Sequence, residues 1–192
     1  MKKLIYTIVA VFASALMAGG NLTPIAPVTT PAGVYVGVGL GSAWTYTKGD
    51  FDLTDDVAGK SNIDPAIGIK VGAEFVRWDS VGLGAEGRLI ASFNSDDFDT
   101  TVYSLFVKPE YYFGTNDEFG LYALAGYSYV RYNAGSATDH KGGFAGGLGL
   151  DYKLTDNVVV SVDWVSNLWN KEVGGKKDLN NDAAMLWVSY QF

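Results

Sequence analysis

Apolar residues recur at every second position along most of this sequence, and after residue 18 they never form a long uninterrupted run. A membrane-spanning helix needs about 18 or more consecutive apolar residues. The longest apolar run here is only Ala183–Val188. Alternation with period two is typical of β-strands whose two faces meet different surroundings. Beyond the N-terminus the pattern excludes a helical membrane protein and predicts an all-β fold.

The first 18 residues have the layout of a secretory signal peptide. Lys2 and Lys3 form a positive start, residues 4–12 form a short apolar core, and small residues lead up to Ala18. We expect cleavage after Ala18, with Ala15 as the alternative site. An uncleaved anchor helix is the less favoured interpretation, because the apolar stretch is short for a membrane span.

Residues 19–32 differ from both the leader and the rest of the chain. They combine small residues and Thr with prolines at positions 24, 27 and 31. Segments of this composition form extended linkers. We therefore divide the chain into a signal peptide at 1–18, a Pro-rich linker at 19–32 and one β-domain at 33–192.

The period-two pattern repeats eight times in the β-domain. The predicted strands span about residues 34–46, 65–78, 81–94, 101–113, 120–132, 143–154, 157–169 and 183–192. Short turns alternate with long polar loops at 48–64, 95–100, 133–142 and 170–182. Short turns join antiparallel neighbours, because parallel strands need crossovers of a dozen or more residues. The simplest topology is an up-and-down meander whose last strand pairs with its first, which closes a barrel without free edges.

One face of these strands carries charge and glycine, and the opposite face carries no charge between the strand ends. The charged residues are Lys70, Glu74, Glu86, Arg88, Lys108, Glu110, Asp151, Lys153 and Asp163. The glycines beside them are Gly68, Gly72, Gly82, Gly84, Gly147 and Gly149. An eight-stranded barrel has room inside only for its own side chains, and small residues leave space there for Lys, Arg and Glu. The apolar face therefore points outward, which favours a membrane barrel over a soluble, lipocalin-like one.

Aromatic residues on the apolar face gather near the strand ends. Those toward the long loops are Trp44, Tyr46, Tyr103, Tyr127, Tyr129 and Trp164. Those toward the short turns are Phe75, Tyr111, Phe113, Tyr152, Tyr190 and Phe192. Two aromatic girdles around an aliphatic band are typical of a membrane barrel.

The chain ends with apolar residues that alternate back from Phe192 through Tyr190 and Val188. This ending resembles the C-terminal assembly signal of Gram-negative outer-membrane proteins. Together with the leader, the Gly-rich first strand and the eight strands, it makes the chain similar to the OmpA-type barrel superfamily, which includes OmpX-like and opacity-type proteins. The chain stops at the barrel, so we do not expect the peptidoglycan-binding domain of full-length OmpA-type proteins.

The resemblance implies an eight-stranded antiparallel up-and-down transmembrane β-barrel in the outer membrane of a Gram-negative bacterium. It places the termini, the linker and the short turns in the periplasm, and the four long loops at the cell surface. The implied partners are outer-membrane lipid, lipopolysaccharide and the barrel-assembly machinery, and we expect a monomer. The implied role is structural or interactive, in envelope integrity, adhesion or host contact.

Composition argues against several other function classes. The chain has no Cys, which excludes disulfide scaffolds and thiolate metal sites,. Its formal net charge of -7 excludes a nucleic-acid binder that works through a basic face,. The single histidine, His140, falls in the predicted third loop beside Asp139 and Lys141, without the nucleophile and orienting group that catalysis requires. We expect no catalytic residues, no cofactor and no metal site, and a lipid-modifying enzyme is a remote alternative.

Two charged regions leave alternatives open. The lumen charges fill and neutralise the barrel core, with Glu74 pairing Arg88 and Glu110 pairing Lys108, or they line a narrow porin-like channel. The loops at 48–64 and 95–101 contribute -6, from five Asp against two Lys in the first and three Asp in the second. We interpret them as a solvated acidic surface, and a divalent-cation contact with lipopolysaccharide is the alternative.

Overall fold

The computed structural model describes residues 33–47, 63–93, 98–134, 137–173 and 176–192. Side chains are described at 33–44, 63–93, 100–131, 140–167 and 180–192. The signal peptide and the linker predicted at 1–32 lie outside these ranges. The strands are β1 Val34–Thr47, β2 Asp64–Trp78, β3 Val81–Ser92, β4 Phe98–Phe113, β5 Phe119–Ala134, β6 Ala137–Lys153, β7 Val158–Val173 and β8 Lys176–Gln191.

The eight strands form a closed barrel in which each strand pairs with its sequence neighbours. All eight pairings are antiparallel, and the barrel closes between β1 and β8, where Val36 lies opposite Tyr190 and Leu40 opposite Leu186. The all-β, up-and-down topology and its closure are therefore confirmed. The described residues include no helix with the length and apolar character that crossing a membrane requires.

The apolar face points away from the barrel axis. Val38, Leu105 and Leu148 are 61–67% exposed on the outer face. Their strand neighbours on the other face, including Gly37 and Gly149, are buried. This arrangement follows from the pleat, because successive side chains of a strand point to opposite faces. The result is an apolar outer wall around a lumen that contains both charged and apolar side chains.

Two of the four predicted loops are wrong, because the strands continue through them. β5 and β6 stay paired up to Ala134 opposite Ala137, so most of the predicted loop at 133–142 is strand. β7 and β8 likewise run to Val173 opposite Lys176, within the predicted loop at 170–182. The residues there are polar, but a ladder of backbone hydrogen bonds does not need apolar side chains. Loss of apolar alternation marks where the apolar wall ends, and the strands extend beyond it.

The other two long connections match their predicted positions more closely. β1 ends at Thr47 and β2 begins at Asp64, which brackets the predicted loop at 48–64. β3 ends at Ser92 and β4 begins at Phe98. Of these connections only residues 63 and 93 are described. The three short turns lie at the opposite end of the barrel, which we call the short-turn end.

Candidate functional site

The middle of the lumen contains a buried ion cluster centred on Arg88. The Arg88 guanidinium contacts Glu86 through Nε and lies 2.7 Å from Asp163 Oδ2 through Nη2. Lys70 Nζ lies 3.8 Å from Glu86 Oε2 and donates a 3.2 Å hydrogen bond to Ser161. The charged side chains of the cluster are at most 1% exposed where they pair with Arg88 or Lys70. Since a buried charge is costly unless paired, this cluster fixes how β2, β3 and β7 face one another.

A second ion cluster centred on Lys108 lies closer to the short-turn end. Lys108 Nζ is 2.8 Å from Glu110 Oε2 and 2.7 Å from Asp151 Oδ2. It also lies 4.2 Å from the centroid of the Tyr122 ring. The two clusters together contain three cations and four carboxylates. Their charges nearly cancel, as expected for groups held away from solvent.

Tyrosine hydroxyls bind the carboxylates that the cations leave partly satisfied. Tyr122 donates to Asp163 at 2.7 Å, and Tyr35 donates to Glu86 at 2.6 Å. Sequence reasoning missed these inward tyrosines, because it treated aromatic residues as outer-face residues. Their strand parity is the signal that identifies them: Tyr35 alternates with Val34 and Val36, which are both exposed. Charged hydrogen bonds of this kind are the stronger class.

Large side chains close the lumen next to the Arg88 cluster. Trp187 is fully buried, and Tyr122 and Phe106 are 1% and 2% exposed. The cations Lys70 and Arg88 lie 5.3 Å and 5.2 Å from the Trp187 ring centroid. Room for the indole comes from neighbouring glycines: a Cβ atom on Gly68 would lie 2.7 Å from Trp187 Cη2. The indole and the ion cluster together occupy the lumen at this level.

Beyond the ion cluster the lumen contains a buried apolar cluster, in which Trp187 is joined by residues such as Ile90, Val102, Val130 and Met185, and a belt of neutral polar side chains. Ser128 lies 2.7 Å from Ser104 and donates a 2.6 Å hydrogen bond to Asn167. Asn167 in turn donates to the backbone oxygen of Asn181 at 3.1 Å. Sequence reasoning followed only charged residues and passed over this belt, although the same alternation places Ser104 and Ser128 on the inner face.

The short-turn end opens into a polar vestibule of about 360 Å³. Its wall includes Lys108, Glu110, Asp151, Glu74, Tyr112 and Lys153. At its rim Arg77 pairs with Asp117 at 2.8 Å and lies 3.8 Å from the Tyr112 ring centroid. In the turn beside it, the backbone N–H of Asn116 donates to Glu118 at 2.8 Å and holds the pKa of that carboxyl below its ordinary value.

Of the nine predicted lumen residues, seven lie in the buried ion clusters and two lie near the short-turn end. The seven buried residues are Lys70, Glu86, Arg88, Lys108, Glu110, Asp151 and Asp163. Glu74 is half-buried in the vestibule wall, where it accepts a hydrogen bond from Tyr112. Lys153 is 40% exposed at the end of β6 and lies 3.7 Å from Asp156.

The predicted pair of Glu74 with Arg88 is wrong, whereas Lys108 does contact Glu110. Arg88 lies opposite Lys70 in the β2–β3 register, four residues along β2 from Glu74. At about 3.3 Å per residue, that offset is about 13 Å. Arg88 instead pairs with Glu86 on its own strand and with Asp163 of β7, across the lumen. Adjacent strands do not reveal such a contact, since it depends on how the closed barrel brings distant strands together.

His140 is not the solvated loop residue that the sequence predicted. It lies on β6 opposite Arg131 of β5. Its ring is 5.6 Å from that of Tyr129, on the outer face of the barrel. Among the described residues, no group of three or more His, Asp or Glu side chains is arranged to hold a metal ion.

The C-terminal residues that resemble an assembly signal lie on the outer face of β8. Val188, Tyr190 and Phe192 are all exposed. The rings of Tyr190 and Phe192 form an edge-to-face pair at 5.1 Å. They form part of the girdle at the short-turn end.

Comparison with known proteins identifies the same architecture. The model of a family described as outer membrane protein beta-barrel domain matches residues 9–192. No curated protein sequence matches the chain.

Two solved structures illustrate the similarity of fold. The barrel is similar to Ail, the attachment invasion locus protein of Yersinia pestis, with 16% identity and a TM-score of 0.57 over 85% of this chain and 100% of Ail. It is similar to Neisserial surface protein A, with 17% identity and a TM-score of 0.56 over 85% of this chain and 100% of that one. At these identities the similarity shows a common fold alone.

Proposed function

The chain belongs to the outer-membrane β-barrels of the OmpA/OmpX-like type, and we propose that it acts as a plugged barrel that presents surface hairpins to partners. The observation that carries this proposal is the occupied lumen at the level of Trp187 and Arg88. Trp187 and the charged side chains of the Arg88 cluster are buried in the lumen, and each charge of the cluster has an oppositely charged partner. A barrel filled in this way serves as a rigid scaffold, and its variable connections are left to make contacts.

The proposed orientation places the chain termini and the short turns in the periplasm of a Gram-negative cell, and the opposite end outside. The paired extensions of β5–β6 and β7–β8 support it, because they project polar residues beyond the aromatic girdle. We also propose that Val188, Tyr190 and Phe192 are read by the barrel-assembly machinery, since their side chains are accessible on β8. The closed barrel has no free edge, which favours a monomer.

The acidic loop at 48–64 suggests the chemistry of the surface partner. Ail is by name an attachment protein, and its structure with the heparin analogue sucrose octasulfate shows it bound to a sulfated ligand. In this chain the connection between β1 and β2, residues 48–63, carries four Asp against two Lys. We therefore propose a contact with cationic rather than sulfated surfaces.

A binding measurement tests the role of that loop. The barrel in nanodiscs is exposed to oligo-lysine and, separately, to a heparin oligosaccharide, before and after residues 48–62 are replaced by a short Gly-Ser turn. We expect binding to oligo-lysine that the replacement abolishes, and no binding to heparin. Binding to heparin that needs residues 48–62 would overturn the proposed partner chemistry.

A non-catalytic role is part of the same proposal. His140 faces outward, while the carboxylates of the ion clusters face the lumen. The register row of His140 contains Arg131 and Thr101 and includes no described carboxylate.

The second candidate function is a narrow channel, and the vestibule is the observation that favours it. The vestibule at the short-turn end extends past Lys108 and Asp151 to Lys70 and Ser161. Single-channel recording in a planar bilayer separates the two candidates. We expect no conductance steps from the wild-type barrel, and clear, reproducible steps would overturn the plugged-lumen proposal.

A further inference from the structure

The vestibule at the short-turn end is lined by two buried polar atoms that have no hydrogen-bond partner among the described residues. They are Asp151 Oδ1 and Ser189 Oγ, and their side chains belong to residues that are 9% and 5% exposed. The other carboxylate oxygen, Asp151 Oδ2, accepts from Lys108 at 2.7 Å. A buried polar atom without a partner is costly. Both atoms can accept a hydrogen bond from a molecule that enters the vestibule.

Glu74 is a further carboxylate of the vestibule wall, and it has no cationic partner among the described side chains. It accepts a hydrogen bond from the Tyr112 hydroxyl, and none of the ion pairs between described residues includes it. Glu74 belongs to β2, whereas Asp151 belongs to β6. Four strand spacings separate β2 from β6 in the closed ring of eight strands, so the two carboxylates lie on opposite walls.

The described lumen side chains include more carboxylates than cations. The two ion clusters contain three cations and four carboxylates, and Glu74 adds a fifth carboxylate. The ion pairs at the rim, Arg77–Asp117 and Lys153–Asp156, cancel and do not correct this excess of two. A cleft lined by an excess of one sign concentrates ions of the other sign. The vestibule therefore favours a cationic ligand.

The placement of these oxygen atoms suits an organic cation better than a metal ion. A calcium ion takes about six to eight oxygen ligands around one point. The part of the chain that the structure describes arranges no three or more His, Asp or Glu side chains to hold a metal ion. An ammonium group needs no such shell, because it donates three separate hydrogen bonds. The volume of about 360 Å³ is in the range of pockets that bind small organic molecules,.

We propose that the vestibule binds a linear aliphatic diammonium ion, with one ammonium group on the side of Asp151 and Ser189 and the other on the side of Glu74. Its two positive charges balance the two excess carboxylates of the lumen. A cation at each end is needed because the carboxylates without a full set of partners lie on opposite walls. Lys108 keeps its contacts with Glu110 and with Asp151 Oδ2, so binding breaks no ion pair.

Isothermal titration calorimetry of the folded barrel in an uncharged detergent tests this site. The probe is butane-1,4-diamine, and the matched probe is butylamine, which has a single ammonium group. A pH of 8 lies above the usual pKa of carboxyl groups and below that of aliphatic amines. We expect the diamine to bind about tenfold tighter than butylamine, since its second ammonium adds a charge-assisted hydrogen bond. Magnesium chloride at the same concentration is expected not to displace it.

Variants at the two ends of the site separate it from general attraction of cations. Glu74→Gln removes one end, so the diamine should bind about tenfold more weakly and no tighter than butylamine. Asp151→Asn should have the same effect at the other end, and Ser189→Ala should weaken binding about threefold without a change of charge. The matched control is Asp79→Asn, which removes a carboxylate from the β2–β3 turn at the same end of the barrel. It is expected to leave diamine binding unchanged.

Three results would overturn the site. The first is wild-type affinity for the diamine in Glu74→Gln, with folding verified by heat-dependent gel mobility. The second is equal affinity of the wild-type barrel for the two amines, and the third is displacement of the diamine by magnesium chloride. Because Glu74 is only half-buried, its variant keeps the test decisive if Asp151→Asn does not fold.

This experiment does not depend on the proposed function. Binding in detergent is measured without a membrane orientation, so it stands if the termini prove to lie outside the cell. Conductance steps in the bilayer recording would remove the plugged-lumen proposal and leave the diammonium site intact.

Discussion

Arg88 Nη2 on β3 and Asp163 Oδ2 on β7 lie 2.7 Å apart, with both side chains fully buried in the lumen. Four strand spacings around the barrel wall separate the two residues, so the contact crosses the lumen. It is one of the contacts that makes the interior a specific structure, because neither charge has water to replace its partner. The same arginine also contacts Glu86. Removing Arg88 therefore affects two carboxylates, whereas removing the charge of Asp163 leaves Arg88 with one carboxylate partner.

The first prediction concerns the unequal effects of substituting Arg88 and Asp163. Arg88→Met leaves Glu86 and Asp163 without their shared cation and should lower the free energy of unfolding by about 3–5 kcal/mol. Asp163→Asn should cost less, because Arg88 keeps Glu86 as a partner. The double variant should be less destabilised than the sum of the two, by about 1 kcal/mol or more. Urea unfolding in lipid vesicles measures all three, and simple additivity would contradict the pairing.

The second prediction concerns the lipid-facing wall. Val36 and Leu148 are 45% and 61% exposed on the outer face. Arg at either position should cost about 2–4 kcal/mol of folding stability if it lies near the bilayer midplane. Thr101→Arg is the matched control, because its row is at the headgroup level, where the cost falls to about 0–1 kcal/mol.

Vesicle folding equilibria provide the measurement for this series. An unchanged stability in Val36→Arg would mean that the face assignment is reversed. Gly147→Arg tests the inner face: an added Cβ would lie 2.9 Å from Val165 Cγ2 and still closer to the backbone oxygen of Trp164. Its destabilisation should persist in bilayers of any thickness, because it comes from overpacking.

The sequence could predict these faces because alternation is a local property. Lys70 shares parity with Gly68 and Gly72, and Asp151 shares parity with Gly147 and Gly149, which places both side chains inside. The interaction partners of these lumen residues, in contrast, could not be predicted from the sequence. Arg88 meets Asp163 only because closure brings β3 and β7 face to face, and the pairing of adjacent strands does not contain that information.

The two mispredicted loops have a different cause. Residues 137–142 and 176–182 lose apolar alternation, which is the only strand signal that a lipid-facing wall provides. Beyond the wall, pairing depends on backbone hydrogen bonds and on the continuing register, as in Thr138 opposite Asn133. A polar strand and a polar loop look alike in composition, so His140 was placed in a loop instead of beside Arg131.

The third prediction compares two glycines of neighbouring strands. A Cβ on Gly68 would lie 2.7 Å from the Trp187 ring and 3.1 Å from the backbone oxygen of Leu89. Gly68→Ala should therefore destabilise the barrel by about 1–3 kcal/mol through overpacking. Gly87→Ala is the control: its nearest neighbour would be Val71 Cγ1 at 3.8 Å. That variant should be neutral or slightly more stable, and equal losses in both would contradict the close approach of Trp187.

The fourth prediction tests whether Trp187 is what closes the lumen. Trp187→Ala removes a fully buried indole and leaves a cavity between the vestibule and the polar belt of Ser128 and Asn167. We expect a loss of about 3–5 kcal/mol in the free energy of unfolding. We also expect conductance steps in a planar bilayer that the wild-type barrel lacks. Trp164→Ala is the matched control, because Trp164 is 43% exposed on the outer face.

Unfolding stability and bilayer conductance together distinguish a residue that blocks the lumen from one that only packs within it. Trp164→Ala should leave the bilayer silent, since its side chain lies outside the lumen. If Trp187→Ala is destabilised but remains silent, the ion pairs of Arg88 with Glu86 and Asp163 are sufficient to block the axis. Adding Arg88→Met to Trp187→Ala then removes the cluster's central cation, and conductance that appears only in this double variant would assign the barrier to both layers together.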